Sequence, residues 1–92
     1  MKIEGLDWDD ENIEHIARHN VNPEEAEDVC FGAHISEKTA GQRYILSGQS
    51  TDGRYLNVVV ERVRKGLFRP ITAFEMSENY KRSYRKRLRE QG

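Results

Sequence analysis

Several residue types are scarce in this chain of 92 residues, which contains one cysteine, two prolines and one tryptophan. The single cysteine, Cys30, excludes an internal disulfide and favours a reducing compartment, so we expect a cytoplasmic protein. No apolar run approaches the roughly 18 residues of a membrane-spanning helix, and the first residues lack the apolar segment of a secretion signal. Because no linker is visible and a chain of this length builds one core, residues 1–92 are predicted to form a single domain.

Charged residues are abundant and unevenly distributed, although the net charge is only −1. Residues 1–33 contain ten acidic and two basic residues, whereas residues 34–92 contain six acidic and thirteen basic residues. In the segment 81–89, six of the nine residues are Lys or Arg. A positive field of this kind attracts polyanions or acidic proteins, so the basic part is predicted to bind one of these.

Start and stop signals predict two helices in the acidic part and a third near the C-terminus. Asp9 or Asp10 caps the first helix, and Asn20 ends it because Asn tolerates the left-handed conformation. Asn22 caps the second helix, which Gly32 ends, and Cys30 lies on its apolar side as a small core residue. The predicted helices cover residues 10–19, 23–31 and a basic C-terminal segment capped by Ser77.

Between the second and third helices the apolar period changes to two, which is typical of strands. The Asp52-Gly53 pair predicts a hairpin turn. Pro70 cannot donate to a strand ladder, so its strand is expected to be an edge strand or to be interrupted there. The sequence therefore predicts an α+β fold: two N-terminal helices, an antiparallel four-stranded meander and a basic C-terminal helix. The predicted strands cover residues 34–38, 43–50, 54–63 and 68–76.

Two histidines are candidates for proton transfer, because His15 and His19 are four residues apart and lie on the same side of the first helix. The pair could also bind a metal, with Glu11 one turn earlier, or could only form structural hydrogen bonds. A structural zinc site needs four ligands, and no thiolate cluster is present. No metal and no cofactor are therefore predicted, although a metal-binding domain remains a third hypothesis.

Arginines near the predicted strands could hold phosphate, because guanidinium binds phosphate in a bidentate manner and stays charged. The alternative is that some of them pair with Glu61, with Glu75 or with the acidic helices. The candidates are Arg43, Arg54, Arg62 and Arg69.

The C-terminal helix carries further candidates for contacts to RNA, namely Lys81, Arg82 and Arg85. Its charges nearly all share one sign, which is unfavourable without a polyanion or an acidic surface nearby. Tyr80, Tyr84 and Leu88 recur at helical spacing and are predicted to pack this helix against the sheet.

Short motifs in a fixed order resemble the BrnT family of bacterial toxins over nearly the whole chain. They are Leu-Asp-Trp-Asp at residues 6–9, His-Ile-Ala-Arg-His-Asn-Val at 15–21, Pro-Glu-Glu-Ala at 23–26, Arg43-Tyr44 with Gly48, Asp52-Gly53-Arg54, Val-Val-Val at 58–60, Ile-Thr-Ala at 71–73 and the basic helix around Tyr84.

This resemblance implies a RelE-like ribonuclease toxin that a ribbon–helix–helix antitoxin, similar to BrnA, neutralises and through which it could oligomerise. The implied reaction is metal-free attack of an RNA 2′-oxygen on the adjacent phosphate. Arg54 matches the family arginine after the hairpin glycine and is the first choice for phosphate stabilisation. His15 or His19 would move protons, with Glu61 as a reserve general base.

Two positions depart from the family pattern. Asn20 replaces a glycine, and Phe74 stands where many members have an arginine beside the phosphate. Losing that cation would forfeit transition-state stabilisation. The alternative function is therefore a non-catalytic module whose basic face binds an acidic antitoxin or nucleic acid.

Overall fold

The computed structural model describes residues 1–91, which form three helices and one five-stranded sheet, so the predicted α+β class is confirmed. No helix in this part of the chain has the length and apolar character needed to cross a membrane. The elements are β1 (Gly5–Leu6), α1 (Asp10–Ala17), α2 (Pro23–Phe31), β2 (His34–Ala40), β3 (Arg43–Gln49), β4 (Tyr55–Arg64), β5 (Leu67–Glu75) and α3 (Glu78–Gln91).

The sheet has the strand order β1-β5-β4-β3-β2. Strands β2 to β5 form the predicted antiparallel meander, with bounds within two residues of those predicted. The prediction of only four strands is wrong, because β1 pairs in parallel with β5 through Gly5 and Leu6. Two residues are too few to show a strand period, so this pairing depends on the tertiary fold.

Both N-terminal helices begin with a reciprocal capping box. The Asp9 carboxylate accepts from the backbone N–H of Asn12, whose side chain accepts from the Asp9 N–H. Asn22 and Glu25 make the same pair of bonds at the start of α2. The first helix is two residues shorter than predicted, and Asn20 follows it with a φ of 60°, the left-handed conformation expected of it.

One face of the sheet, which we call the helical face, packs against α1 and α2. The predicted inward stripe of β4 is fully buried there, and Cys30 is a core residue as predicted. Burial raises the pKa of the Cys30 thiol to about 12, so it is protonated at neutral pH and is not a nucleophile. The core comprises Ile16, Val21, Ala26, Val29, Cys30, Leu46, Leu56, Val58, Val60, Phe68 and Ala73.

The opposite face, which we call the α3 face, carries the C-terminal helix over part of its area. Tyr84 is buried with Ile35 and Met76, and Tyr55 and Tyr80 pack beside them. The stripe predicted for α3 is correct for the two tyrosines and wrong for Leu88, which is 39% exposed.

The register of the strands determines which residues share the α3 face, because opposed residues in a sheet project to the same side. Three rows of opposed residues cross this face: Arg43–Glu61–Arg69, Ile45–Val59–Thr72 and Ser47–Asn57–Phe74.

Pro70 interrupts the ladder, as expected. The pairing shifts between Val59 and Val60, so Ile71 has no opposed partner. The carbonyl of Pro70 instead accepts a hydrogen bond from the buried side chain of Asn12, which holds α1 against β5. In the hairpin before β4, Gly53 has a φ of 90° while Asp52 does not have a positive φ, so only the glycine supplies the left-handed angle.

Candidate nucleic-acid interface

Four of the predicted site residues line one cleft of about 320 Å³ between α1 and the strands. Arg43, Glu61 and Arg69 form one row of the α3 face, because they are register partners in β3, β4 and β5. His15 reaches the same cleft from α1, where the Asn12 bonds to β5 fix the position of the helix. The cleft therefore combines two cations with two groups that can exchange protons.

The two arginines of the cleft differ in how fully they are paired. Arg43 uses Nε to contact Glu61 at 3.2 Å, and no other ion pair of Arg43 is present within residues 1–91. Arg69 uses both terminal nitrogens, one on Asp9 and the other on Glu11 at 3.8 Å. Because Arg43 keeps both terminal nitrogens available, it is the cation better placed to receive a phosphate.

An ion pair joins the cleft residue Arg69 to Asp9, the cap of α1. The hydrogen bond from Arg69 lowers the pKa of Asp9, and the bond from the Asn12 backbone lowers it further. The same contact raises the pKa of Arg69. Asp9 thus stays ionised at neutral pH and both caps α1 and anchors Arg69.

The histidines lie together, as their spacing predicts. The ring centroids of His15 and His19 are 5.7 Å apart, and the ring of His19 lies 6.5 Å from that of Phe74 in an edge-to-face arrangement. Phe74, which stands where many members of the BrnT family have an arginine, is 36% exposed and places an aromatic ring beside His19. Within residues 1–91, no group of three or more metal-binding side chains converges.

Arg54 lies away from the cleft, on the helical side of the sheet. Its Nη1 donates to Glu25 at 2.7 Å and to the carbonyl of Asn20 at 2.8 Å, and its Nε lies 3.7 Å from Glu75. The hydrogen bond to Glu25 raises the pKa of Arg54. It precedes Glu61 by seven positions, which corresponds to about 23 Å along a strand.

Arg62 also lies outside the cleft that contains Arg43. It lines a second depression, of about 340 Å³, together with Lys2, Tyr44 and Lys65. Of the four candidate arginines, Arg43 and Arg69 therefore share one cleft, whereas Arg54 and Arg62 lie elsewhere. The alternative prediction is that some of the arginines pair with acidic residues. It holds for three of the four candidates, since Arg43, Arg54 and Arg69 each pair with a carboxylate.

The predicted cations of α3 divide between two environments. Lys81 and Arg85 lie over the ring of Tyr55, with the Lys81 Nζ 5.2 Å and the Arg85 guanidinium carbon 4.9 Å from the ring centroid. Arg85 also donates to the Tyr55 hydroxyl at 3.3 Å. Arg82 points away from the sheet and contacts Asn79 at 3.3 Å.

Two residues that hold parts of this interface in place, Tyr55 and Asn12, were not predicted from the sequence. Tyr55 contacts Lys81 and Arg85 of α3, and the sequence feature that marks it is an aromatic residue directly after the hairpin turn. Asn12 fixes α1 by donating to the carbonyls of Asp7 and Pro70. The sequence feature that marks Asn12 is a side-chain amide one turn before Ile16, on the buried stripe of the helix.

Three comparisons, with protein-family models, with curated proteins and with solved structures, find no significant match to this chain.

Proposed function

We propose that this protein is a metal-independent endoribonuclease with a RelE-like fold, the toxin of a type II toxin–antitoxin system. The observation that carries the proposal is the shared cleft, in which His15 and Glu61 lie beside Arg43 and Arg69. Acid–base groups next to phosphate-binding cations are what RNA cleavage without a metal requires. The order of the short motifs, similar to the BrnT family, supports the same interpretation, and a ribbon–helix–helix antitoxin is the partner it implies.

The reaction follows from the chemistry of RNA. One of the pair His15 and Glu61 removes the proton of a 2′-hydroxyl, and the 2′-oxygen forms a bond to phosphorus. The bond from phosphorus to the 5′-oxygen breaks, and the other member of the pair donates a proton to that oxygen. The products are a 2′,3′-cyclic phosphate and a 5′-hydroxyl.

In this proposal Arg43 stabilises the charge that develops on the phosphate. The motif resemblance points to Arg54 for this role, but the carboxylates of Glu25 and Glu75 already occupy its guanidinium on the other side of the sheet. Arg43 contacts Glu61 only through Nε, so its terminal nitrogens can bind two phosphate oxygens. Binding of phosphate would also free Glu61 to act on a proton.

The test is cleavage of single-stranded RNA by the purified protein in excess chelator. The variants His15→Gln and Glu61→Gln are expected to lower the rate by about 10²- to 10⁴-fold, the usual contribution of a positioned acid or base. Arg18→Gln is the matched control, because Arg18 is an exposed cation just after α1 and, within residues 1–91, its one ion pair is with Glu14. Detection of a 2′,3′-cyclic phosphate by mass spectrometry identifies the reaction.

Equal cleavage by the wild type and by both variants would contradict the assignment of the cleft. The absence of cleavage by the wild type would contradict the nuclease and would favour a second function.

The second function is a non-catalytic module that binds an acidic antitoxin or nucleic acid. The observation that favours it is the pairing of Arg54 and Arg69 with carboxylates, together with Phe74 in place of a cation. It predicts association that weakens with salt and normal growth of cells that express the protein alone. Growth inhibition that a neighbouring gene product reverses would contradict it.

A further inference from the structure

The cations of α3 face in two directions. Lys81 and Arg85 face the ring of Tyr55, and Arg87 reaches Glu37 on β2 at 3.4 Å. Three others lie on the outer side of the helix, are exposed, and border one open patch of its surface. We call these three, Arg82, Lys86 and Arg89, the outer stripe.

The outer stripe is a continuous row of positive charge. Its members are separated by four and three residues, so they share one face of the helix and span about 10 Å of its axis. No carboxylate within residues 1–91 lies within ion-pair distance of any of them. Like charges at this spacing repel one another, so the stripe weakens the helix unless an anion covers it.

The composition of this patch indicates which kind of anion it suits. Asn79 and Ser83 also border it, so all five bordering side chains are polar or charged. Protein partners bury a core of apolar side chains, whereas nucleic-acid interfaces are polar and strongly positive. The patch therefore suits a phosphodiester backbone better than it suits an acidic protein.

We infer that the outer stripe is a binding track for the backbone of single-stranded RNA, outside the catalytic cleft. This inference rests on the proposed choice of RNA as substrate and extends it to a surface that the cleft does not include. Arg82 and Arg89 bind phosphate oxygens through their guanidinium groups, and Lys86 lies between them as a point charge. Asn79 and Ser83 supply neutral hydrogen-bond groups along the same path.

The experiment measures binding of a short fluorescent 2′-O-methyl RNA, which cannot be cleaved because its 2′-oxygen is blocked. The triple variant Arg82→Gln, Lys86→Gln, Arg89→Gln is compared with the wild type over a series of KCl concentrations. For single strands, removing one cation that binds a phosphate lowers the slope of log K against log salt by about 0.7, so the expected decrease is about 2.

A matched control removes the same charge elsewhere: Lys2→Gln, Arg64→Gln, Lys65→Gln. These residues are exposed, and none forms an ion pair within residues 1–91. The control is expected to keep the wild-type slope. A second variant, Arg82→Lys with Arg89→Lys, preserves the charge and is also expected to keep it. Circular dichroism checks that each variant is folded.

An unchanged salt slope in the triple variant of the outer stripe would overturn the proposed track. An equal decrease in the control variant would also overturn it, because it would show that RNA responds only to the number of positive charges and not to where they lie. A stripe variant that loses binding to polyglutamate while keeping its RNA slope would also overturn it, in favour of an acidic protein. The blocked RNA separates this result from the nuclease proposal. If the stripe variant has a smaller slope but the wild type does not cleave ordinary RNA, the track is supported and the nuclease is refuted. If the wild type cleaves RNA but the stripe variant keeps its slope, the nuclease is supported and the track is refuted.

Discussion

Arg43 lies in β3 and Arg54 directly precedes β4, and their partners leave them differently free to bind a phosphate. Arg54 bridges β4 to α2 through Glu25, whose side chain is only 12% exposed. Arg43 and Glu61 are 49% and 43% exposed, and solvent screens their pair. Removing one partner of a half-buried pair leaves the other charge uncompensated, so such a pair matters for the stability of the fold. In an exposed pair, one residue can leave its partner and bind a ligand at little cost in free energy.

We expect Arg54→Gln to lower the free energy of unfolding by about 1–3 kcal/mol, since Glu25 loses its charged hydrogen bond. Urea denaturation monitored by circular dichroism measures the change. The double variant Arg54→Gln, Glu25→Gln is expected to recover part of the loss, because the new amide can still accept the capping bond and leaves no unpaired charge. A single variant as stable as the wild type would show that the bridge contributes nothing.

Asp9 is a single residue that makes the stability of the fold depend on pH. Its pKa is lowered in the folded protein, mainly by the hydrogen bond from Arg69, so its stabilising effect is fully present above the pKa of an unfolded aspartate. The effect is lost as the pH falls through the lowered folded pKa. We expect Arg69→Gln to shift the carboxyl titration of Asp9 toward higher pH in NMR spectra. An unchanged titration curve would mean that the capping bond alone sets the pKa.

At the scale of elements, α3 depends on few side chains for its position. Its mostly charged sequence packs on the sheet through Tyr84, with Tyr80 and Tyr55 beside it, while Leu88 remains partly exposed. The other two helices contribute fully buried residues to the core, and further bonds attach them: Asn12 of α1 donates to β5, and Glu25 of α2 pairs with Arg54. The most basic helix, with six of the fifteen Lys and Arg residues, is therefore the one with the fewest buried residues.

We expect Tyr84→Ala to destabilise the protein by about 3 kcal/mol, because it empties the centre of the contact between α3 and the sheet. Tyr84→Phe keeps the ring and is expected to change stability little. Leu88→Ala is the control on the same helix and is expected to cost less than about 0.5 kcal/mol, as for a surface position. Thermal unfolding followed at the helical band compares the three, and similar losses for Tyr84→Ala and Leu88→Ala would contradict the assigned contact.

At the scale of the whole molecule, the acidic and basic parts of the chain form one structure. Ile16 and Val29 from the acidic part are fully buried against Leu46 and Val58 from the basic part. Ion pairs also join the two parts, as between Glu25 and Arg54. The charge polarity of the sequence thus does not separate a folding unit from a binding unit.

A fragment of residues 34–92 is therefore expected not to fold alone, since the helical face of its sheet would be exposed to water. Circular dichroism of the fragment should lack the cooperative thermal transition of the full chain. Adding a peptide of residues 1–33 is expected to restore part of the transition. A cooperative transition in the fragment alone would contradict a shared core.

Local chemistry was enough to predict most of the elements. Capping residues, the period-two pattern and the buried stripe of β4 predict helices and strands close to those observed, because these signals act over a few neighbouring residues. The pairing of β1 with β5 could not be predicted in this way. It joins Leu6 to Phe68 across most of the chain, and so short a strand has no pattern of its own.

The sequence by itself determined which residue types were available for the site: histidines one turn apart, strand arginines and a positive C-terminal helix. Only the tertiary structure decided which of them meet. Strand register places Arg43, Glu61 and Arg69 in one row, while Arg54, directly before β4, contacts the carboxylates of Glu25 and Glu75 on the other side of the sheet. The physical reason is that side chains alternate between the faces of a sheet, so the geometry of pairing, and not residue type, decides which charges are neighbours.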